Sequence, residues 1–139
     1  VKQELDSVKN QSEVDWAAIR EKAASVPDEA YKFIRDGLAH TVRTVHGRLP
    51  EGPIDSADES RHISGQQLCN GLRELAVKRY GMLARTVLAH WGIHSTADFG
   101  TLVYAMIDRG ELRSSSRDSI TDFQDVFDFD EAFAVEVLC

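Results

Sequence analysis

Four glycines, Gly47, Gly81, Gly92 and Gly110, each stand just past a run in which apolar residues recur at three- and four-residue steps. Glycine enters the left-handed backbone region without steric cost, and helices commonly end on it. Apolar residues at that spacing form one face of a 3.6-residue helix. A chain punctuated in this way folds as helices joined by tight turns.

The stripes can be followed along the chain. Leu5 and Val8 mark a weak helical start, and Trp16, Ile19 and Ala23 a firmer helix from Asp15 to Ala24, with Ser12 and Asp15 spaced as a capping box. Pro27 and Asp28 restart the chain, with proline in the first turn and an acid at the positive end of the helix dipole. That second helix reaches His46 and aligns Ala30, Ile34, Leu38, Thr41, Val42 and Val45. Ser64 and Gln67 form another capping box, opening a helix that carries Leu68, Leu72, Leu75 and Ala76 to Gly81. A shorter helix from Met82 to Trp91 closes on Gly92 and Ile93 in the pattern of a Schellman cap. Ser95 and Asp98 then start a helix with Phe99, Leu102, Val103, Met106 and Ile107 on one stripe. From Phe99 to Ile107 it holds no charged residue, so burial on both sides by the protein's own elements is the expectation. Gly100 inside it costs about 1 kcal/mol relative to alanine, which implies that something approaches closely there.

Two stretches break the helical period. Residues 47–62 hold two of the three prolines and no periodicity, which reads as a long surface connection. After Gly110, Leu112 falls in a short candidate strand, Ser114 to Ser119 is a polar turn, and Phe123 to Phe129 alternates like a strand with Asp125, Phe127 and Phe129 in step. Two strands so short must lie on the helices. Asp130 is placed to cap a last helical segment running to Val137. The expected fold is mainly α: a compact domain of about five helices with a small C-terminal β-ribbon. Its element order from Ser64 to Phe129 is winged-helix-like. Residues 1–27 form a helical extension, and residues 28–139 the domain, with its acidic aromatic segment at 111–139.

Charge follows the same division. Residues 1–110 carry 14 Lys and Arg against 15 Asp and Glu, while residues 111–139 carry 2 against 8, so nearly all of the net charge of −7 belongs to the last segment. A domain-wide basic field for nucleic acid is excluded. Four of the six phenylalanines lie in the acidic segment, which should therefore be folded. No apolar run approaches a membrane span, and no charged leader with an apolar core opens the chain, so a reducing cytoplasm is the expected location.

Motifs for chemistry are sparse. His90 and His94 have the spacing of a zinc pair, but Gly92 and the helix end separate them. Cys69 reads as a small buried apolar group, and Cys69 and Cys139 are too few for a disulfide framework. No HExxH, GxSxG, phosphate loop, dinucleotide fingerprint or EF-hand order occurs. No catalytic residue, metal site or cofactor is expected.

His62-Ile63-Ser64-Gly65-Gln66, Trp91-Gly92-Ile93, Asp98-Phe99-Gly100, Asp118-Ser119 and Phe127-Asp128-Phe129 are the most distinctive pieces of the chain. With them, residues 28–133 resemble a protein family described from planctomycete and verrucomicrobial bacteria. The resemblance implies a bacterial cytoplasmic protein and brings no activity, cofactor or catalytic residue with it.

The function expected is binding of a macromolecule as an adaptor or complex-associated protein, without chemistry. Acids interleaved with phenylalanine suit a basic protein partner. The candidate contacts are Thr101 and Tyr104 on the uncharged face of the helix from Ala97 to Arg109, with Asp118, Asp122, Asp125, Phe127 and Asp128 beyond it. A nucleic-acid or ribonucleoprotein factor using Arg73, Lys78, Arg79 and Arg85 is the alternative. Direct nucleic-acid binding is disfavoured, because the helix from Ala97 to Arg109 has no lysine, one arginine at its end and Asp98 near its start. An enzyme comes third, and would require a cleft gathering His62, His90 or His94 with carboxylates.

Overall fold

The computed structural model of the protein describes residues 14–47, 62–115 and 118–134. The expected weak helix before Ser12, the Ser12 cap, the connection from Arg48 to Arg61 and the tail beyond Ala134 lie outside them.

Each helix begins and ends for a local reason. Helix α1 (Trp16–Ala24) is capped by Asp15, whose carboxylate accepts the Ala18 N–H at 3.1 Å. Helix α2 (Asp28–His46) starts after Pro27 and stops at Gly47, with φ of 79°. Helix α3 (Gly65–Tyr80) opens on the reciprocal Ser64–Gln67 box, with Gln67 N–H donating to Ser64 Oγ at 3.1 Å and Ser64 N–H to Gln67 Oε1 at 2.9 Å. Gly81, at φ 53°, turns the chain into a 3₁₀ corner, Gly81–Leu83, and then helix α4 (Ala84–His90). The Schellman cap forms as expected: Gly92 N–H donates to Ala89 O and Ile93 N–H to Leu88 O, each at 2.9 Å. Helix α5 (Thr96–Asp108) ends the same way, with Gly110 N–H bonded to Ile107 O and Glu111 N–H to Met106 O.

Helices α2 and α3 cross closely because each presents a glycine to the other. A methyl group on Gly37 would overlap the Leu72 side chain, and one on Gly71 would overlap Thr41. Thr41 is 1 % exposed, and its hydroxyl is satisfied by donating to Gly37 O at 2.7 Å. The buried face of α2 is rotated from the expected stripe: Phe33 and Gly37 lie in the core, whereas Val45 is 40 % exposed.

Helix α5 is covered by the protein's own elements. Phe99, Leu102, Val103, Tyr104, Ala105 and Met106 are all buried. Helix α1 closes one side, with Ile19 buried, Trp16 tilted against Tyr104 at 6.1 Å between ring centroids, and Arg20 and Lys22 paired with Asp108 and Asp98. The chain after Ser119 closes another side. The close approach expected at Gly100 is Phe123, whose Cβ would lie 2.8 Å from an added methyl group.

The C-terminal ribbon is not formed: among the described residues there is no strand. Ile120–Phe123 is a 3₁₀ turn, and Phe129–Ala132 is a short helix, α6, capped by Asp128 rather than Asp130. Three causes are visible. Asp122 reaches back to the Ser119 N–H at 3.2 Å and starts a helical turn where extension was expected. Asp125 takes a φ of 51°, which breaks the alternation. Val126 N–H donates to the buried Thr96 hydroxyl at 3.2 Å, so it is not available to a strand partner. The two-stranded wing that the winged-helix-like order requires is therefore absent among the described residues.

Candidate functional site

A groove of about 580 Å³ lies between α2, the start of α3, α5 and two stretches that follow it, residues 110–113 and 118–123. Its floor is apolar: Leu38 from α2, Leu68 from α3, Val103 and Ile107 from α5, then Leu112 and Phe123. Its volume falls within the range of about 300–1,000 Å³ typical of ligand pockets. Phe123 shapes one end, because its ring is wedged between two positions that lack a side chain. Methyl groups at Gly65 and Gly100 would each come within 3.1 Å of that ring.

The rim is polar and built from backbone caps. Ser115 N–H donates to Asp118 Oδ2 at 2.7 Å, and Ser119 N–H donates to Asp122 Oδ2 at 3.2 Å, two consecutive turns of the same S-x-x-D form. Asp118 turns its other oxygen to His62 Nε2 at 3.2 Å. His46 Nε2 in turn lies 2.7 Å from the His62 carbonyl oxygen, tying the end of α2 to the start of α3. Glu111 is occupied by Arg35 at 3.3 Å and Arg109 at 2.9 Å. Among the described residues, Asp122 has no cationic partner and Arg113 no acidic one. Stretches far apart in sequence thus meet at one end of the groove: His62 with Asp118, Gly65 with Asp122, and Gly100 with Phe123.

Of the residues singled out in the sequence, Tyr104, Asp118 and Asp122 line this groove. Tyr104 is 7 % exposed and stands edge-on to Phe123 at 6.5 Å. Thr101 is half-buried on α5, and its hydroxyl donates to Ala97 O at 3.2 Å. Asp125, Phe127 and Asp128 lie outside the groove. Asp125 is exposed on its turn, and Asp128 accepts the Asp130 N–H at 2.9 Å. Phe127 is half-buried and stacks on Phe129 at 5.8 Å, while Phe129 packs on Phe99 and Phe133. Phe123, Phe129 and Phe133 are all buried, so three of the four phenylalanines in the acidic segment close the core and leave the surface to the acids.

The basic group of the nucleic-acid alternative is largely engaged within the molecule. Arg73 Nε donates to Ala132 O at 3.0 Å, Arg79 pairs with Asp36 at 2.9 Å, and Arg85 pairs with Asp130. Cys69 is fully buried, and burial pushes its thiol up to about 12, so it stays neutral at ordinary pH. Among the described residues no cluster of three or more His, Cys, Asp and Glu could hold a metal ion, and no helix is long and apolar enough to cross a membrane.

Sequence reasoning missed the groove's floor, since Leu38, Leu68, Val103, Ile107 and Phe123 all read as ordinary core positions. The signal that was present is the S-x-x-D spacing at Ser115–Asp118 and Ser119–Asp122, which at Ser119 closes into a reciprocal cap like that of Ser64–Gln67. No protein-family model, curated protein or solved structure matches the chain.

Proposed function

We propose that this is a binding protein, working as an adaptor or component of a complex, and that the groove takes an apolar anchor of a protein partner. The observation that carries this reading is the groove itself: a continuous apolar floor under a rim with three carboxylates, Glu111, Asp118 and Asp122, and one arginine, Arg113. Such a rim favours an anchor followed by a lysine or arginine that reaches Asp122. Isolation of the tagged chain from its native host at low and high salt, beside a Leu112→Asp variant checked for helical content, tests it. A basic protein held at low salt, released at high salt and absent from the variant is the expected result. The same proteins on both baits would remove the groove from the function.

A second reading is favoured by one geometry, the His62–Asp118 pair at the groove's edge, which is the gathering of histidine and carboxylate that an enzyme would need. A small molecule consumed by the wild-type chain and left intact by His62→Gln would establish it over the first.

A further inference from the structure

The other end of α3 carries a second surface. Met82 and Leu83, on the 3₁₀ corner that follows α3, are 76 % and 62 % exposed, and Val77 is 45 % exposed. Gly81 N–H donates to Val77 O, so Val77 sits one turn below the corner. None of the three lines the groove, and along α3, at 1.5 Å per residue, Val77 stands about 14 Å from Leu68, the last residue of that helix to line the groove. Isolated exposed apolar residues need no explanation, but three large ones at a single corner do. The backbone does not require them. The turn depends on Gly81, and Ala84, 1 % exposed, supplies the contact with the core. Polar side chains at 82 and 83 would serve the same turn.

The surroundings state what would cover this corner. From Arg73 to Arg85 the chain holds four Lys and Arg and one acid, Glu74, in a protein whose net charge is −7. Glu74 is bonded to His40, Arg79 to Asp36 and Arg85 to Asp130. Lys78, beside Val77, has no acidic partner among the described residues. A second copy placed on the corner by a two-fold axis would bring Lys78 of each chain toward the other, which opposes self-association. An anionic bilayer would meet Asp130 and its neighbours Asp128 and Glu131 as well as Lys78. A protein segment can place one acid at Lys78 and avoid the others.

We infer that the Val77–Met82–Leu83 corner is a docking surface, separate from the groove, for an acidic protein segment bearing a large apolar side chain. A protein with both surfaces bridges two partners, and this inference deepens the adaptor reading while standing on residues the groove does not use.

The test is selection of a displayed random-peptide library on the complete chain, followed by anisotropy titration of the enriched peptides after fluorescein labelling. Enriched sequences should set leucine or an aromatic residue beside aspartate or glutamate. Their affinity should fall at least about tenfold for the Met82→Ser, Leu83→Ser double variant and for Lys78→Glu, and persist for Lys78→Arg. The double variant should melt with the wild type, since both positions are exposed. Should it fail to fold, the Lys78 pair of variants decides alone. Leu112→Asp should leave these affinities unchanged, so loss of groove binding and loss of corner binding are read separately. Peptides indifferent to all three corner substitutions would overturn the inference. So would sedimentation of the chain with phosphatidylcholine–phosphatidylserine vesicles, or dimerisation in ultracentrifugation, that disappears in the double variant.

Discussion

Ser64 and Ser119 make the same reciprocal cap, yet one begins a helix of 16 residues and the other a turn of four. After Ser64, Leu68, Leu72, Leu75 and Ala76 return to one face and are buried along the whole of α3. After Ser119, the period fails within a turn. Phe123 is buried, then Asp125 takes its positive φ and Val126 is held by Thr96. A cap fixes where a helix starts, and the apolar face that follows fixes how far it goes. The two caps also confront each other, since Gly65, the first residue of α3, faces Asp122 and Phe123. The long helix supplies the framework, and the short turn supplies the wedge that ends the groove.

This contrast can be broken most forcefully at the wedge. Phe123→Ala should cost about 3–5 kcal/mol in urea unfolding, the range for a buried phenylalanine whose cavity cannot collapse. A loss below about 1 kcal/mol would show that the turn after Ser119 is an ornament on a core complete without it. Gly100→Ala asks the same question from the other face of the ring. Helix propensity would return about 1 kcal/mol, while the overlap with Phe123 costs about 1–3 kcal/mol. The expected outcome is a lowered melting temperature, and a raised one would displace Phe123 from that position.

The caps themselves provide a smaller and more direct comparison. Ser64→Ala should cost about 1 kcal/mol, because the helix it starts is built into the core along its length. Ser119→Ala should cost about 0.5 kcal/mol, the low end for a lost cap, because the turn it starts is only four residues long. Equal losses would mean that the second cap carries its segment alone. The smallest effect is a pH dependence on the α2–α3 side. Burial raises the Asp36 carboxyl, but hydrogen bonds from Lys32 and Arg79 outweigh it and hold the group below the usual carboxylate range. A depressed acid contributes stability that is complete above the ordinary aspartate value of about 3.9 and is lost as pH falls through the folded value. Asp36→Asn should therefore lower the urea midpoint more at pH 6 than at pH 3, and equal losses at both would detach the ion pair from the helix crossing.

Much of the framework was legible because its causes are local. Gly47, Gly81, Gly92 and Gly110 all take positive φ and end helices where the stripes stop. Asp28–His46 and Gly65–Tyr80 begin after the proline and the capping box that announce them. The uncharged run of α5 is buried by the protein's own chain, and Gly100 marks a close approach. The C-terminal segment was misread because Phe123, Phe127 and Phe129 alternate in sequence, and alternation of aromatic residues is also the mark of a strand. A reciprocal cap and a single residue with positive φ curl the segment instead, and neither changes the apolar pattern. Of the residues that line the candidate site, Tyr104 stands out in the sequence by its place opposite the core stripe of its helix, and Asp118 and Asp122 by the acidity of their segment. The floor does not, because a residue that lines a groove and a residue that fills a core have the same apolar identity.

The sequence by itself determined where helices start and stop, that α5 carries no charge from Phe99 to Ile107, and that the acidity is concentrated after Gly110. Each of these depends on residues within a few positions of one another, through backbone conformation, capping bonds and periodicity. Only the tertiary structure decided that Gly65 and Gly100 receive the same phenylalanine, and that His62 meets Asp118. It likewise decided that most phenylalanines of the acidic segment face inward, and that Met82 and Leu83 stand out at the far end of α3. Those outcomes depend on which surfaces remain after the helices have buried one another, a property of the whole chain that no local window contains.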